Sequence, residues 1–305
     1  MPTYDAQVDA AVENNSHSLM IRLVGPDRTV LDVGCATGYL GRALQARGCR
    51  VSGVELDAVA AAQAAEDLDE VLVADLAEAD LVAHFGPASF DVVVLGDVLE
   101  HMTDPVRVLR GVVGLLRPGG SVVISTPNVT HASLRLALLQ GRWRYTDRGL
   151  LDETHVHFFD RAGLDGLISG AGLVAVESTG TTAGPLETEV AVDAGALPPG
   201  VLDWVREQPD ADVYQFVVRA VVKDEAGMLE ALTRRTAEAE ERTRLAQEQA
   251  QVLAAEVAEL RGRLEAAERD AAGARSDLRA LHDTRSMRAL RGPRRVWGAV
   301  RRGRA

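Results

Sequence analysis

The side chains of this chain best placed to do chemistry are Asp97, Glu100 and His101, in the stretch GDVLEHMTDP at 96–105. Their spacings of three and four put them on one face if the stretch forms a helical turn. An imidazole there can act as general base and take a proton from an acceptor hydroxyl. The same three groups can instead hold a divalent metal ion that acidifies the hydroxyl. The plain alternative is that Glu100 and His101 only make structural hydrogen bonds. A second set of candidates lies earlier, in VLDVGCATG at 30–38. Small residues at Gly34, Ala36 and Gly38 let backbone N–H groups approach a ligand closely. Asp32, two residues before the first glycine, would repel a pyrophosphate but suits the ammonium of an amino-acid cofactor. Glu55 lies seventeen residues past Gly38, where an acid can accept both hydroxyls of a ribose. Asp75 followed by Leu76 suits an adenine pocket, the carboxylate accepting from the exocyclic amine and Leu76 packing on the ring.

Three acids of this kind need a sheet whose strand ends converge on one edge. Apolar runs at 30–33, 51–55, 71–75, 90–96, 121–125, 173–177 and 214–222 read as strands. Helical patterns begin at Gly38, at 106–116 before the stop RPGG at 117–120, and at 160–171. A further helix inside 3–25 covers the cofactor site; its His17 either meets the cofactor's carboxylate or serves as a solvated cap. Alternating strands and helices define the fold class as α/β, with helices on both faces of a mostly parallel sheet. Ligands bind such sheets outside the carboxyl ends of the strands. A dinucleotide fingerprint, G-x-G-x-x-G, differs from the even spacing seen here. That spacing, with Asp32, argues against a nicotinamide-dependent oxidoreductase.

The turn at 30–38 resembles motif I of the class I S-adenosylmethionine (SAM) methyltransferases, with Ala36 where many members carry glycine. The stretch at 97–105 resembles the D-V-L-E-H-x-x-D-P segment of quinone- and glycan-type O-methyltransferases. The block GRWRYTDRGLLDETHVHFF at 141–159 is similar to one in SAM methyltransferases encoded with bacterial glycan-assembly enzymes. This resemblance implies a Rossmann-like, seven-stranded sheet in the order 3-2-1-4-5-7-6, with strand 7 antiparallel. It also implies SAM as cofactor, held by Asp32, Gly34, Cys35, Ala36, Gly38, Glu55, Leu56, Asp75, Leu76 and Gly96. His101, Glu100, Asp97, His155 and Asp152 are the catalytic candidates, with Tyr145 beside them as a substrate contact. Asp97, Glu100 and His101 form the optional metal set. Asn128, in the TPN that ends the fifth strand, is expected to face substrate. Trp143 and Tyr145 can stack on a sugar or an aromatic ring, and His157 is expected to be structural. The acceptor implied is a sugar hydroxyl of a cell-envelope glycan or its precursor, with a quinone or other small phenol as the alternative.

Composition bounds these readings. The 305 residues exceed one typical domain, and aromatics make up only 4%, so the core must be mostly Val, Leu and Ala. Cys35 and Cys49 have no metal or disulfide spacing, and no apolar run reaches membrane-spanning length. With no basic-then-apolar leader in the opening residues, a cytoplasmic location is expected. Charge is uneven. Residues 1–222 carry 15 Lys and Arg against 31 Asp and Glu, whereas 286–305 carry seven arginines and no acid. The acidic body should repel nucleic acid. From Leu229 to Leu281 apolar and small residues alternate spacings of three and four without a break over 53 residues, which reads as a coiled-coil seam, with a single solvated helix as the alternative. The domains expected are therefore a methyltransferase domain at 1–222, a coiled coil at 223–285 and a basic tail at 286–305. The arm calls for a homodimer or another coiled-coil partner. The tail resembles the S-x-R-x-x-x-P-x-R endings of coiled-coil extensions on bacterial glycan-building enzymes, with one extra residue. It suits peripheral contact with an anionic membrane, or else is simply a disordered basic end. A rival from another class is a SAM-binding scaffold whose coiled coil recruits glycan enzymes without turnover.

Overall fold

The computed structural model describes residues 12–283; the basic tail at 286–305 lies outside them. The chain divides into two compact units, Met1–Thr236 and Ala237–Ala305. The first unit holds a seven-stranded sheet in the order β3-β2-β1-β4-β5-β7-β6, as the resemblance implied. Its strands are β1 (Thr29–Val33), β2 (Arg50–Glu55), β3 (Glu70–Val73), β4 (Phe90–Gly96), β5 (Leu116–Pro127), β6 (Leu173–Thr182) and β7 (Val213–Val222). β1 to β5 pair in parallel, and β7 runs antiparallel to both β5 and β6. The strand order reverses beside β1: the chain moves outward to β2 and β3, then returns to lay β4 on its other side. Such a switch point opens a crevice at the carboxyl ends of β1 and β4.

The continuous apolar runs follow from burial on both faces. Leu31, Val33, Val93 and Leu95 pack on one face with α5 (Pro105–Val113) and α7 (Arg161–Gly170). Val30, Val92 and Val94 pack on the other with α1 (Ser16–Val24) and α2 (Tyr39–Gln45). Asp32 shares the second face by strand alternation. Among the described residues Phe90, Phe159 and Phe216 bring phenyl rings to the buried core, which is otherwise mostly aliphatic.

Several elements differ from the sequence reading. The helix stop at 117–120 lies inside β5: Phe90 pairs with Leu116 and Val92 with Ser121, so the turn, with Gly119 at φ +77°, is a bulge in the strand. The helices α3 (Ala58–Ala64), α4 (Leu81–Phe85), α6 (Ala132–Leu139) and α8 (Val201–Arg206) are short, and none carries enough periodic turns to stand out. α8 lies in the connection between β6 and β7. There Val205 and Ala211 pack on Ala132 and Leu136 of α6 in a buried cluster. The cap of α1 is Asn15, whose side chain accepts from the His17 and Ser18 N–H groups; His17 is not the cap. α9 (Glu225–Asp283) begins in the first unit and forms the described part of the second as one continuous helix. Among the described residues no helix is long and apolar enough to cross a membrane.

Candidate active site

A cavity of about 370 Å³ opens where the strand order reverses. Gly34, Ala36, Glu55, Leu56, Asp75, Leu76 and Gly96 line one part of it. Asp97, Glu100, His101, Asp152 and His155 line another. The loop after β1 is left-handed at each even position: φ is +74° at Gly34, +46° at Ala36 and +79° at Gly38. That alternation is the physical reason for small residues two apart. A Cβ on Gly34 would lie 2.7 Å from Val98 Cγ2. Gly34→Ala is therefore expected to cost about 2–3 kcal/mol, seen as a melting temperature several degrees lower. Ala36→Gly, which meets no such clash, should leave stability unchanged or slightly raised; equal losses in both variants would contradict this account.

Glu55 braces the loop. Its Oε2 accepts from Ala36 N at 2.8 Å, and its Oε1 accepts from Leu56 N and Asp57 N at 2.8 and 2.9 Å. Asp75 accepts from Ala77 N at 2.8 Å. Asp32 is 3% exposed, and its Oδ2 has no partner. Burial, reinforced by the charge of Glu55, pushes its carboxyl up to about 7. An orphaned acid beside a small-residue loop suits a ligand that brings a cation, as the ammonium of SAM does.

Three residues of the expected cofactor set do not line the cavity. Asp32 is held inside the sheet by pairing on both sides, with Gly53 and with Val94. The Cys35 side chain packs against Gly53, where a Cβ would lie 2.6 Å from Sγ; burial first, then Asp32 and Glu55, push its thiol up. Gly38 starts α2, and a Cβ there would meet Ala64 Cα at 3.1 Å, so it serves helix packing. His17 packs edge-on against Tyr39 at 5.1 Å and is likewise not part of the lining.

The expected face of Asp97, Glu100 and His101 is rebuilt by the backbone. Asp97 has φ +54° and lies outside the single 3₁₀ turn Leu99–His101, so the three do not share a helical face. The Asp97 carboxylate accepts from Ser125 Oγ at 2.9 Å and from Gln215 Nε2. His155 takes its place: one ligand atom each from Glu100, His101 and His155 lie within 4.8 Å of one another. Glu100 is 1% exposed. Burial, with Asp97 second, raises its carboxyl well above the ordinary range. Thr126 lies near enough to favour the charged form, yet neither Glu100 oxygen nor Thr126 Oγ1 reaches hydrogen-bond geometry with any partner.

The segment after the irregular stretch at 140–152 docks by its backbone: Val156 N and His157 N donate to the Glu100 carbonyl at 2.9 and 3.0 Å. This brings Thr154 to His101, 53 residues away in sequence. Thr154 Oγ1 donates to Asp152 Oδ1 at 2.6 Å. His101 Nδ1 faces that hydroxyl oxygen at 3.1 Å and the Thr154 carbonyl at 3.3 Å. The hydroxyl hydrogen is engaged by Asp152 and the carbonyl has none to give, so Nδ1 is the donor, and in the neutral ring Nε2 keeps the lone pair. Burial alone would raise Asp152, but two hydrogen bonds from Thr154 and the nearby His155 and His101 hold it below its ordinary value. Burial, then the neighbouring His101, hold the His155 imidazole below its ordinary value.

The other substrate candidates fall elsewhere. Asn128 is fully buried; it donates to Asp210 O and Val213 O and accepts from Thr130, so it is structural. Trp143 and Tyr145 are exposed and pack on each other and, through Trp143, on Phe158, away from the cavity lining. His157 is structural as expected, its Nε2 at 3.2 Å from Thr103 O and its ring stacked on Phe159. Tyr39, Met102, Arg148, Gly149, Tyr214 and Gln215 line the cavity without having been singled out. The local sign was at Tyr214 and Gln215, polar positions near the start of a strand whose other residues, Arg219 apart, are apolar. The Tyr214 hydroxyl donates to Glu189 at 2.9 Å, and a Cβ on Gly149, at φ +92°, would collide with both.

Comparison with known proteins agrees with this geometry. A family model described as "Methyltransferase domain" matches residues 6–178. The chain belongs to the class I SAM-dependent methyltransferases. The ubiquinone biosynthesis O-methyltransferase of Thiobacillus denitrificans is 35% identical over 164 residues, covering 52% of this chain and 70% of that protein. The protein of the same name from Xanthomonas campestris pv. campestris is 36% identical over 143 residues, covering 46% of this chain and 58% of its own length. A putative methyltransferase of known structure from Bacillus halodurans superposes with a TM-score of 0.49 at 13% identity, covering 68% of this chain and 98% of that one. SAM is the cofactor of this methyltransferase.

Proposed function

We propose that the protein moves a methyl group from SAM to a hydroxyl of a small phenolic or quinol-type acceptor, with His101 as general base. The observation that carries this reading is the Asp152–Thr154–His101 chain, which leaves Nε2 as base on a residue lining the cavity. Bound SAM supplies a methyl already activated on a sulfonium, so alignment and proton removal fall to the chain. Asp152 acts through Thr154 and orients the imidazole. Glu55 and the loop at 34–38 position the cofactor, and Asp32 favours its ammonium. An imidazole base is matched to a phenol, whose pKa is about 10, better than to an aliphatic alcohol. The names of the two relatives, both ubiquinone biosynthesis O-methyltransferases, support the same acceptor class. A glycan hydroxyl is the rival acceptor; Trp143 and Tyr145, the residues expected to stack on a sugar, are not among those that line the cavity.

The test is purified full-length protein with SAM and a dihydroxybenzene acceptor, read by mass spectrometry for S-adenosylhomocysteine and the methyl ether. Both products are expected. SAM binding without transfer to phenols, but with transfer to a glycan extract, would move the acceptor to sugars; transfer to neither would favour the scaffold. A second reading has its own observation, the donor set of Glu100, His101 and His155. Those residues would hold a divalent ion that acidifies the acceptor hydroxyl, with Glu100 ionised and His101 a ligand. Activity that is lost to a chelator and restored by added metal would favour it; activity that survives chelation favours His101 as base.

A further inference from the structure

The long helix α9 carries information about its partner. Every described side chain from 232 to 281 is exposed, including Leu253, Val257, Leu260 and Leu264 at 45–60%. In heptad terms, the a positions are 229, 236, 243, 250, 257, 264, 271 and 278, and the d positions are 232, 239, 246, 253, 260, 267, 274 and 281. The β-branched seam residues Thr236, Thr243 and Val257 all fall at a, and d holds only leucine and alanine. β-Branched a with leucine d favours a parallel two-stranded coil. Gly262 and Gly273 fall at f and c, off the seam, where an added Cβ would meet nothing.

The flanking charges are more specific. In a parallel, in-register pair each g residue faces the e residue five further along the other chain. The g–e pairs are then Arg235 with Glu240, Glu256 with Arg261, Arg263 with Glu268, and Asp270 with Arg275. All four are opposite in sign, and the remaining g–e positions from 228 to 254 pair no like charges. Two-fold symmetry makes each pair twice. An antiparallel pair loses this match, because it sets g against g and e against e. Among the described residues none of these eight charges forms an ion pair within the chain. The ion pairs that α9 does make within the arm, Arg244 with Glu241 and Glu248, lie at b and f on the outward side.

We propose that α9 is the dimerisation element of this protein and pairs with α9 of a second copy, parallel and in register. The occupant is a second copy because the charge pattern is complementary to itself in that register. The assembly carries two active sites, and the proposal is independent of which acceptor those sites take.

Two experiments on the full chain test it. In the first, Ala239→Cys and Ala274→Cys, both at d, are made separately and oxidised. Native Cys35 and Cys49 are buried. Parallel, in-register pairing sets identical d positions side by side, within disulfide reach. Each variant alone should cross-link to twice the chain mass of 32.6 kDa, and the unsubstituted protein should not. Failure of both variants to cross-link to themselves would mean that identical d positions do not meet and would overturn the proposal. In the second, sedimentation equilibrium compares the unsubstituted chain with Arg263→Glu and Glu268→Arg. Each reversal turns two attractive contacts into repulsive ones and should weaken the dimer roughly tenfold. Mixing the two variants restores opposite signs at both contacts, so a heterodimer as tight as the original is expected. A monomeric or trimeric unsubstituted chain at micromolar concentration, or failure of the mixture to recover, would refute it.

Discussion

Replacing His101 by alanine is expected to lower kcat by about 10²–10⁴ while SAM affinity stays within about twofold. The imidazole lies beside Thr154 and His155, which on the proposed function puts it with the acceptor and not with the loop at 34–38. Stopped turnover with intact binding therefore follows if the ring takes the acceptor's proton. Thr154→Val separates orientation from chemistry. It removes the hydroxyl between Asp152 and Nδ1 and leaves the carbonyl contact at 3.3 Å. A fall in kcat of about tenfold is expected, with a displaced pH profile and little change in KM. A purely structural role for the hydroxyl would lower stability without moving the profile. Loss of SAM binding in the His101 variant would place the ring on the cofactor and end the general-base reading.

Asp32→Asn is expected to weaken SAM binding by about 10–100-fold and, at the same time, to stabilise the cofactor-free protein at pH 8. The two effects share one cause. The Asp32 carboxyl is raised from its ordinary value to about 7, first by burial and then by Glu55. A group raised in the folded state contributes stability that is fully present below pH 4. That contribution is lost as pH rises to about 7, and here it is worth about 2–4 kcal/mol. Asparagine, neutral throughout, escapes the loss. For binding, the sign runs the other way. Below about pH 7 the acid must release its proton to attract an ammonium, so affinity should rise by up to tenfold per pH unit from about 5.5 to 7 and then level off. The asparagine variant should show a flat profile, read by calorimetry in buffers of different ionisation enthalpy. A more stable variant with unchanged, still pH-dependent affinity would detach Asp32 from the cofactor.

What the sequence determined by itself was local. Strand runs, the even-spaced small residues of the loop after β1 and the acids at strand ends are read from neighbouring residues, because strand alternation and left-handed turns are set within a few positions. The sheet order came from the family resemblance that these motifs carry; of the residues expected at the cofactor, Gly34, Ala36, Glu55 and Asp75 line the cavity, whereas Asp32, Cys35 and Gly38 do not. The heptad seam of α9 is legible for the same reason, since a helix repeats its faces every seven residues. The surroundings of His101 were decided by tertiary structure. Asp97 leaves the expected helical face because the chain enters a 3₁₀ turn through a left-handed residue, and spacing alone cannot report that. His155 and Thr154 reach His101 only because the backbone of 156–157 docks on the Glu100 carbonyl across an aperiodic stretch. The same path turns Trp143 and Tyr145 away from the cavity, while antiparallel β7 brings Tyr214 and Gln215 to it. Where no repeat ties residue number to direction, only the packed chain determines which side chains meet.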